Sequence, residues 1–494
     1  MVTAQAGSWE FYGRNLELER LTSILQRPRW FFAKITGRRR IGKTALVQEA
    51  LERSGRARVL YIQIPDSDPA GVLATARDFY ELFAVPGARP TDLRGLAHDI
   101  ARLARDGWVV ALDEFQYFHR KALFEFTSHL QLEVDRLAAD AAAVPGGLIV
   151  LGSIHTEMAA LLEDRSAPLF SRITDELDVT HLDIASILEI LRAHGTTDME
   201  TLLFLWNLFE GVPKFYRDCF EQGVLGAPRR ALLETMFFSS SSPLRNEADN
   251  WFLRELRGRY DLVLKVVATH PGCTNGDIDA HTRSVDPASE QQVGGYIKVL
   301  RERFRMIDRL QPMFAKPTSR NGRFYITDNL LRSWLAALQT TTAAVHFRPL
   351  PQLVAEADHR LMEAEGHGLE RLVATLYAER SRKALPGFSL THRVEGFWDK
   401  ADRAGTQMKV DLVALDEGSH TIRLGTCKRQ GDKLVADLAR FDRHVKGFLS
   451  VAPRFASWKV ERVAISTSLT AEQRRAIEAA GYVAQDLGDL TAGL

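Results

Sequence analysis

The chain has 494 residues, more than one hydrophobic core serves, and its length suggests roughly three domains. Apolar residues make up 45% and charged residues 26%, ordinary globular proportions, and the net charge of +1 excludes a global field for a polyanion, so any nucleic-acid surface must be a local patch. Cys219, Cys273 and Cys427 are odd in number and far apart. That excludes a disulfide framework or zinc spacing and fits a reducing cytoplasm. The first residues lack a basic segment followed by an apolar one, so no signal peptide is expected, and no apolar run is long enough to span a bilayer.

The first candidate helix follows Gly13 and Arg14, with Asn15 as its N-cap and Leu16, Leu21 and Ile24 on one face. Residues 11–14 are either an ordinary loop or an adenine-side wall that Gly13 lets a ligand approach. An apolar run at 30–33 then leads into Gly37, Arg38, Arg39, Arg40, Ile41, Gly42, Lys43 and Thr44, and Ala45 begins a helical pattern. Strand, glycine-bounded loop and helix is the context of a nucleotide phosphate loop. The glycines let the backbone curl around an anion. Lys43 would meet the β/γ-phosphates and Thr44 a Mg²⁺, with the helix N-terminus adding a favourable dipole. The three arginines lend their backbone to the loop, while their side chains face either a neighbouring domain or a neighbouring subunit.

A second strand is expected at 58–64, then a helical region to about residue 105. Residues 107–116 read as a buried parallel strand ending in Asp113 and Glu114 at a ligand crevice. Asp113 would hold the metal through water, and Glu114 would polarise the attacking water. A helix at about 121–143 and a strand at 147–153 follow. Ser153 ends that strand as a helix cap, as a γ-phosphate or water contact, or as both. Arg165 and Arg172 are surface or ion-paired arginines, or one is an arginine finger for a neighbouring subunit. Residues 202–221 read as helices around Pro213, with Lys214 able to reach a nucleotide from a lid.

The phosphate loop, Gly13-Arg14, the string Leu112-Asp113-Glu114-Phe115-Gln116, Gly152-Ser153 and Gly211-Val212-Pro213-Lys214 fall in one order. That order resembles the archaeal-type ATPases, a STAND branch related to AAA+ proteins, over about residues 11–230. The resemblance implies Walker A at 37–44, Walker B at Asp113 and Glu114, a sensor at Ser153 and a lid contact at Pro213 and Lys214. The family often carries Gly-Ser-Ser after the sensor strand, whereas Ile154 and His155 follow Ser153 here.

A serine-rich stretch at 239–243 punctuates the chain. Helical patterns at 262–270, 276–280 and 293–303, then alternating strands at 305–310 and 322–327, read as a winged helix-turn-helix. Lys298, Arg301, Arg303, Lys316, Arg320 and Arg323 are candidate DNA-phosphate contacts, diluted by Asp277, Asp279, Asp286 and Glu290. The alternative is a docking module for protein. The archaeal ATPases resemble this part too, ending in a phrase like that at 325–334.

A helix at 368–377, strands at 409–415, 421–428 and 460–466, and helices at 434–448 and 471–480 complete the chain. This layout resembles the PD-(D/E)XK nuclease-like fold. The resemblance places Glu370 as the helix carboxylate, Asp411 as first metal ligand and Lys428 as catalytic lysine. Thr426 stands where the second carboxylate should be, so a binding or docking domain is favoured over a nuclease unless Glu370 or Glu395 substitutes.

The expected fold is α/β: a P-loop NTPase parallel sheet with a helical lid, then a winged helix-turn-helix, then a small α/β restriction-endonuclease-like domain. Their expected extents are 1–180, 181–245, 246–345 and 346–494. The expected activity is cytoplasmic, Mg-dependent ATP hydrolysis that switches the packing or contacts of the later domains. The alternatives are an ATP-gated DNA nuclease and a non-hydrolysing, ATP-dependent DNA-binding regulator. Expected partners are ATP, DNA through the winged helix, and a protein or second copy through the ATPase, with no membrane.

Overall fold

The structure is a computed structural model that describes residues 8–87, 89–153, 155–245, 247, 249, 259–285, 293–316, 319–399 and 407–494. The chain forms two compact units, one of Trp9–Leu182 with Val212–Lys214 and one chiefly of Asp183–Gly211 with Phe215–Leu494.

The first unit is built on five strands: β1 Phe31–Gly37, β2 Val59–Gln63, β3 Val109–Asp113, β4 Gly147–Gly152 and β5 Asp175–Val179. All pair in parallel, in the order β2-β3-β4-β1-β5. Strands β1, β3 and β4 are buried at every residue, as continuous apolar runs covered on both faces should be. Even Lys34 is buried within β1, its ammonium 2.7 Å from Glu163 and 3.1 Å from Glu176. On one face, Phe32, Leu60, Ile62, Val110 and Val150 pack with Tyr80, Ile100, Phe118 and Phe126. The helices there start on real caps: Asp68 accepts from Gly71 N at 2.9 Å and Asp92 from Gly95 N at 2.6 Å.

Three local expectations are corrected. Asn15 does not cap the first helix but begins it, and Arg14 occupies the N-cap in a left-handed conformation with no side-chain cap. Strand β3 stops at Asp113 because Glu114 takes φ 55°, and Phe115–His119 coils into a 3₁₀ turn. The following helix spans only Glu125–Ala139, since Asp140 leaves helical geometry at φ −123° and ψ 39°.

Residues 202–221 resolve into two helices, Met199–Phe209 in the second unit and Pro213–Glu221, whose first two residues belong to the first. Three helices, Arg259–Thr269, Asn275–Val285 and Gly294–Glu302, precede an antiparallel hairpin of β6 Ile307–Leu310 and β7 Arg323–Ile326. Asp286, Glu290, Pro317 and Thr318 lie outside the described residues. The helix expected at 368–377 is 33 residues long, Leu350–Arg382. Within it Gly368 serves close packing: a Cβ there would sit 2.1 Å from Asn207 Oδ1.

The last sheet combines β8 Glu395–Trp398, β9 Lys409–Asp416, β10 Thr421–Cys427, β11 Lys459–Ser466 and β12 Val483–Asp486 in the order β12-β11-β10-β9-β8. Strands β10, β11 and β12 pair in parallel, and β8, β9 and β10 antiparallel. Val413, Leu424 and Ala464 on this sheet pack with Leu434, Phe441 and Phe448 of helix Gly431–Val451.

One buried ion cluster ties this unit together. Glu365 is fully buried in the long helix, with Arg229 Nη1 at 2.6 Å and Arg429 Nε at 2.9 Å, close ionic contacts that lack hydrogen-bond alignment. Each arginine keeps a second acid, Asp358 at 2.9 Å and Glu200 at 2.7 Å. Removing one member of a buried cluster strands the charges left behind. Glu365→Ala is therefore expected to destabilise this unit by about 3 kcal/mol, read as a lower urea midpoint. An unchanged midpoint would show the cluster to be solvated.

Candidate nucleotide site

Strand β1 ends at Gly37, where a Cβ would sit 2.4 Å from the carbonyl oxygen of Val179 on β5. Only glycine permits this approach. The chain then turns through Arg40 at φ 65° and Gly42 at φ 93°, and Gly42 becomes the N-cap of helix Lys43–Ser54. No side chain caps that helix, so its first-turn N–H groups face the loop without intrahelical acceptors.

Lys43 is buried, and its ammonium donates to the carbonyls of Gly37 at 2.9 Å and Arg38 at 3.0 Å. Burial lowers its pKa, against the opposing pull of Glu114 and Asp113. The Thr44 hydroxyl donates to Asp113 Oδ2 at 2.7 Å, and the Tyr61 hydroxyl donates to the same oxygen. Asp113 Oδ1 accepts the Glu114 amide at 2.8 Å. The Glu114 carboxylate accepts from Ser153 Oγ at 3.1 Å and from Gln116 Nε2, and Gln116 Oε1 accepts the Ser153 amide at 3.4 Å. Lys43, Thr44, Asp113, Glu114 and Ser153 thus converge at the ends of β1, β3 and β4.

Sequence reasoning missed Tyr61 and the clamp by Gln116. Burial, and then Asp113, hold the Tyr61 phenol far above its usual pKa, so it stays a donor. Gln116 stood within the motif string, two residues beyond Glu114, but its contact depends on the 3₁₀ turn.

Other candidates have structural partners. Arg14 Nη2 donates to the carbonyls of Ile41 at 2.7 Å and Thr180 at 2.8 Å, bracing the loop from its side, next to Gly13 at φ 65°. Arg38 Nη1 lies 3.5 Å from His181 Nε2. Pro213 stands beside the loop: a Cβ on Gly42 would be 3.4 Å from Pro213 Cγ, and Lys214 belongs to the same unit. Arg172 grips Asp135 at 2.6 and 2.9 Å, the ion-paired reading, while Arg165 is exposed.

The basic residues of the second unit divide similarly. Lys298, Arg303, Lys316 and Arg320 are exposed. Arg301 pairs with Glu302 at 2.7 Å, and Arg323 donates to Gln407 with its guanidinium 5.1 Å from the Trp398 ring centroid. Asp279 is matched by Arg283 at 2.7 Å and Asp277 accepts the Thr274 amide at 2.8 Å, so both acids are engaged locally.

Glu370, Asp411 and Thr426 come together, with Thr426 Oγ1 donating to Asp411 Oδ2 at 3.1 Å. Lys428 has its ammonium 3.6 Å from Asp437 and acts on Asp411 only through its charge. Lys409, not singled out from sequence, meets Glu370 at 2.6 Å and Asp411 at 2.7 Å. Period-two alternation along β9, which puts Lys409 and Asp411 on one face, could have found it.

A parallel five-stranded α/β sheet, with a glycine-bounded Lys-Thr loop after β1 and an acid pair where β3 ends, has the form of a P-loop nucleotide-binding domain. No protein-family model matches the chain, and no curated protein matches it. Among solved structures, it is similar to the Walker-type ATPase of Pyrococcus abyssi at 18% identity and TM-score 0.48, over 68% of this chain and 99% of that one. It is also similar to the ORC2 protein of Aeropyrum pernix in ADPNP–ADP complexes, at 15% identity and TM-score 0.45, over 72% and 95% of the two chains. Cdc6p from Pyrobaculum aerophilum follows at 16% identity and TM-score 0.33, over 74% and 97%. These likenesses are too distant to carry an activity to this chain. No helix among the described residues is long and apolar enough to cross a membrane.

Proposed function

We propose that the first unit binds Mg·ATP and hydrolyses it, and that the nucleotide state alters the packing or contacts of the later parts of the chain. The observation that carries this reading is the Thr44–Asp113 contact at 2.7 Å, directly beside the buried Lys43. A hydroxyl and a carboxylate side by side are hard oxygen donors suited to Mg²⁺ next to phosphate. The bound ion would supply charge neutralisation on the phosphate oxygens. Lys43 exchanges its two loop carbonyls for phosphate oxygens. The uncapped N–H groups of residues 43–45 face the same anion. Glu114, steadied by Ser153 and Gln116, accepts a hydrogen bond from the attacking water and orients it. Pro213 and Lys214 act as the lid contact.

In this reading residues 181–245 form the lid, 246–345 a winged helix and 346–494 a nuclease-like domain that binds or docks. The exposed Lys298, Arg303, Lys316 and Arg320 favour DNA as one partner. The deciding experiment measures phosphate release from ATP by the full chain, with and without Mg²⁺ and with and without duplex DNA. Mg²⁺-dependent turnover that DNA changes supports the switch. Tight ATP binding with no turnover leaves the non-hydrolysing regulator. Failure to bind nucleotide with Mg²⁺ present removes both.

A further inference from the structure

The nuclease-like layout implies a divalent ion between Glu370 and Asp411, and the donor set there does not fit one. Every carboxylate oxygen is engaged. Lys409 Nζ lies 2.6 Å from Glu370 Oε1 and 2.7 Å from Asp411 Oδ1. Asp411 Oδ2 accepts Thr426 Oγ1 at 3.1 Å and the Cys427 amide at 3.0 Å. Glu370 Oε2 has His367 Nδ1 at 3.4 Å. Thr426 presents a hydroxyl that donates, where a metal site would present a second acid. Among the described residues, no group of three or more His, Cys, Asp or Glu side chains is arranged to hold a metal ion.

The electrostatics agree with this geometry. Burial opposes the charge on Lys409, but Asp411 and Glu370 outweigh it and raise its pKa above the usual lysine value. Burial likewise opposes ionisation of Glu370, and Lys409 and His367 overcome it. Burial, and then Glu370, push Asp411 up, against the pull of Lys409 and Lys428. An ammonium between them offsets the repulsion of two acids held this close, with the Asp411 side chain buried and Lys409 and Glu370 half-buried on the cavity wall.

We propose that Lys409 is the resident cation of this site: its ammonium fills the position between Glu370 and Asp411 that a divalent metal would need, and so keeps the domain metal-free and non-cleaving. The triad lines a cavity of about 900 Å³ that also presents Tyr325, Arg371 and Trp398. A ligand entering it meets one ammonium set between two carboxylates, a floor with one net negative charge, and no bound metal.

The test uses the full chain with Thr44→Ala and Asp113→Ala, which silence the P-loop as a metal site. MnCl₂ is the probe, read by electron paramagnetic resonance and by thermal melting. This background is expected to bind no Mn²⁺ that Asp411→Asn removes. Adding Lys409→Met should lower the melting temperature, and Mn²⁺ should restore part of the loss. Adding Lys409→Met with Thr426→Asp should create a site for one Mn²⁺ per chain that Asp411→Asn abolishes. The proposal is overturned if the background itself binds stoichiometric Mn²⁺ in an Asp411-dependent way. It is equally overturned if Lys409→Met melts as the background does and ignores Mn²⁺, or if the folded double variant binds none. Should the lysine variants fail to fold, the background measurement still decides. In the unaltered chain, Mg²⁺-dependent plasmid cleavage that Asp411→Asn abolishes would also overturn it.

Discussion

Glu114→Gln is expected to leave nucleotide affinity nearly intact while slowing phosphate release by about 10²–10⁴-fold, the usual worth of a positioned general base. The side chain keeps its length, so Ser153 can still donate to the amide oxygen at the place now 3.1 Å away. Gln116 can contribute its amide to either atom of the new group. What is lost is the negative charge that polarises water. Single-turnover phosphate release, set against equilibrium binding of a fluorescent ATP analogue, separates the two effects. Loss of both in parallel would mean that Glu114 belongs to nucleotide binding and not to the chemical step.

Lys43→Ala should act on the opposite side of that division. It removes the only buried ammonium bonded to the loop itself among the described residues, at 2.9 and 3.0 Å from Gly37 and Arg38. ATP affinity should fall about 30- to 1,000-fold, equivalent to about 2–4 kcal/mol for a desolvated charge-assisted contact. The pH dependence provides a second signature. Burial holds the Lys43 pKa below that of an ordinary lysine. Bound phosphate favours the charged form and raises that pKa. Affinity in the unaltered chain should therefore be full below the depressed pKa and decline as pH rises through it. In Lys43→Ala this alkaline decline should vanish. An unchanged affinity in the variant would place the phosphates elsewhere.

These two residues were legible in the sequence because their identities occur at a spacing that also dictates backbone shape. Gly37, Gly42, Lys43 and Thr44 describe a loop and its chemistry together. Asp113 and Glu114 were legible because an apolar run ended on them. Tyr61 was not, since its bond to Asp113 needs β2 and β3 side by side, with Gln63 opposite Asp113. Only the part of helix Leu350–Arg382 from Gly368 to Tyr377 was legible, and the reason for a glycine at 368, its close approach to Asn207, lies in a residue far away in sequence. Lys428 shows a different limit. Its spacing from Thr426 suited a catalytic lysine, yet Lys409 holds the acids and Lys428 faces Asp437. Linear spacing identifies a cation near two acids without saying which cation reaches them.

Glu114 sits at φ 55°, a conformation that side chains other than glycine, asparagine and aspartate seldom adopt. Holding it there costs on the order of 1 kcal/mol, drawn from the packing of Phe115 and Phe118 just beyond it. Evolution toward heat resistance alone would gain by replacing this residue with glycine. It would thereby discard the carboxylate, so under the proposed hydrolysis selection for robustness and selection for turnover would pull this single position in opposite directions.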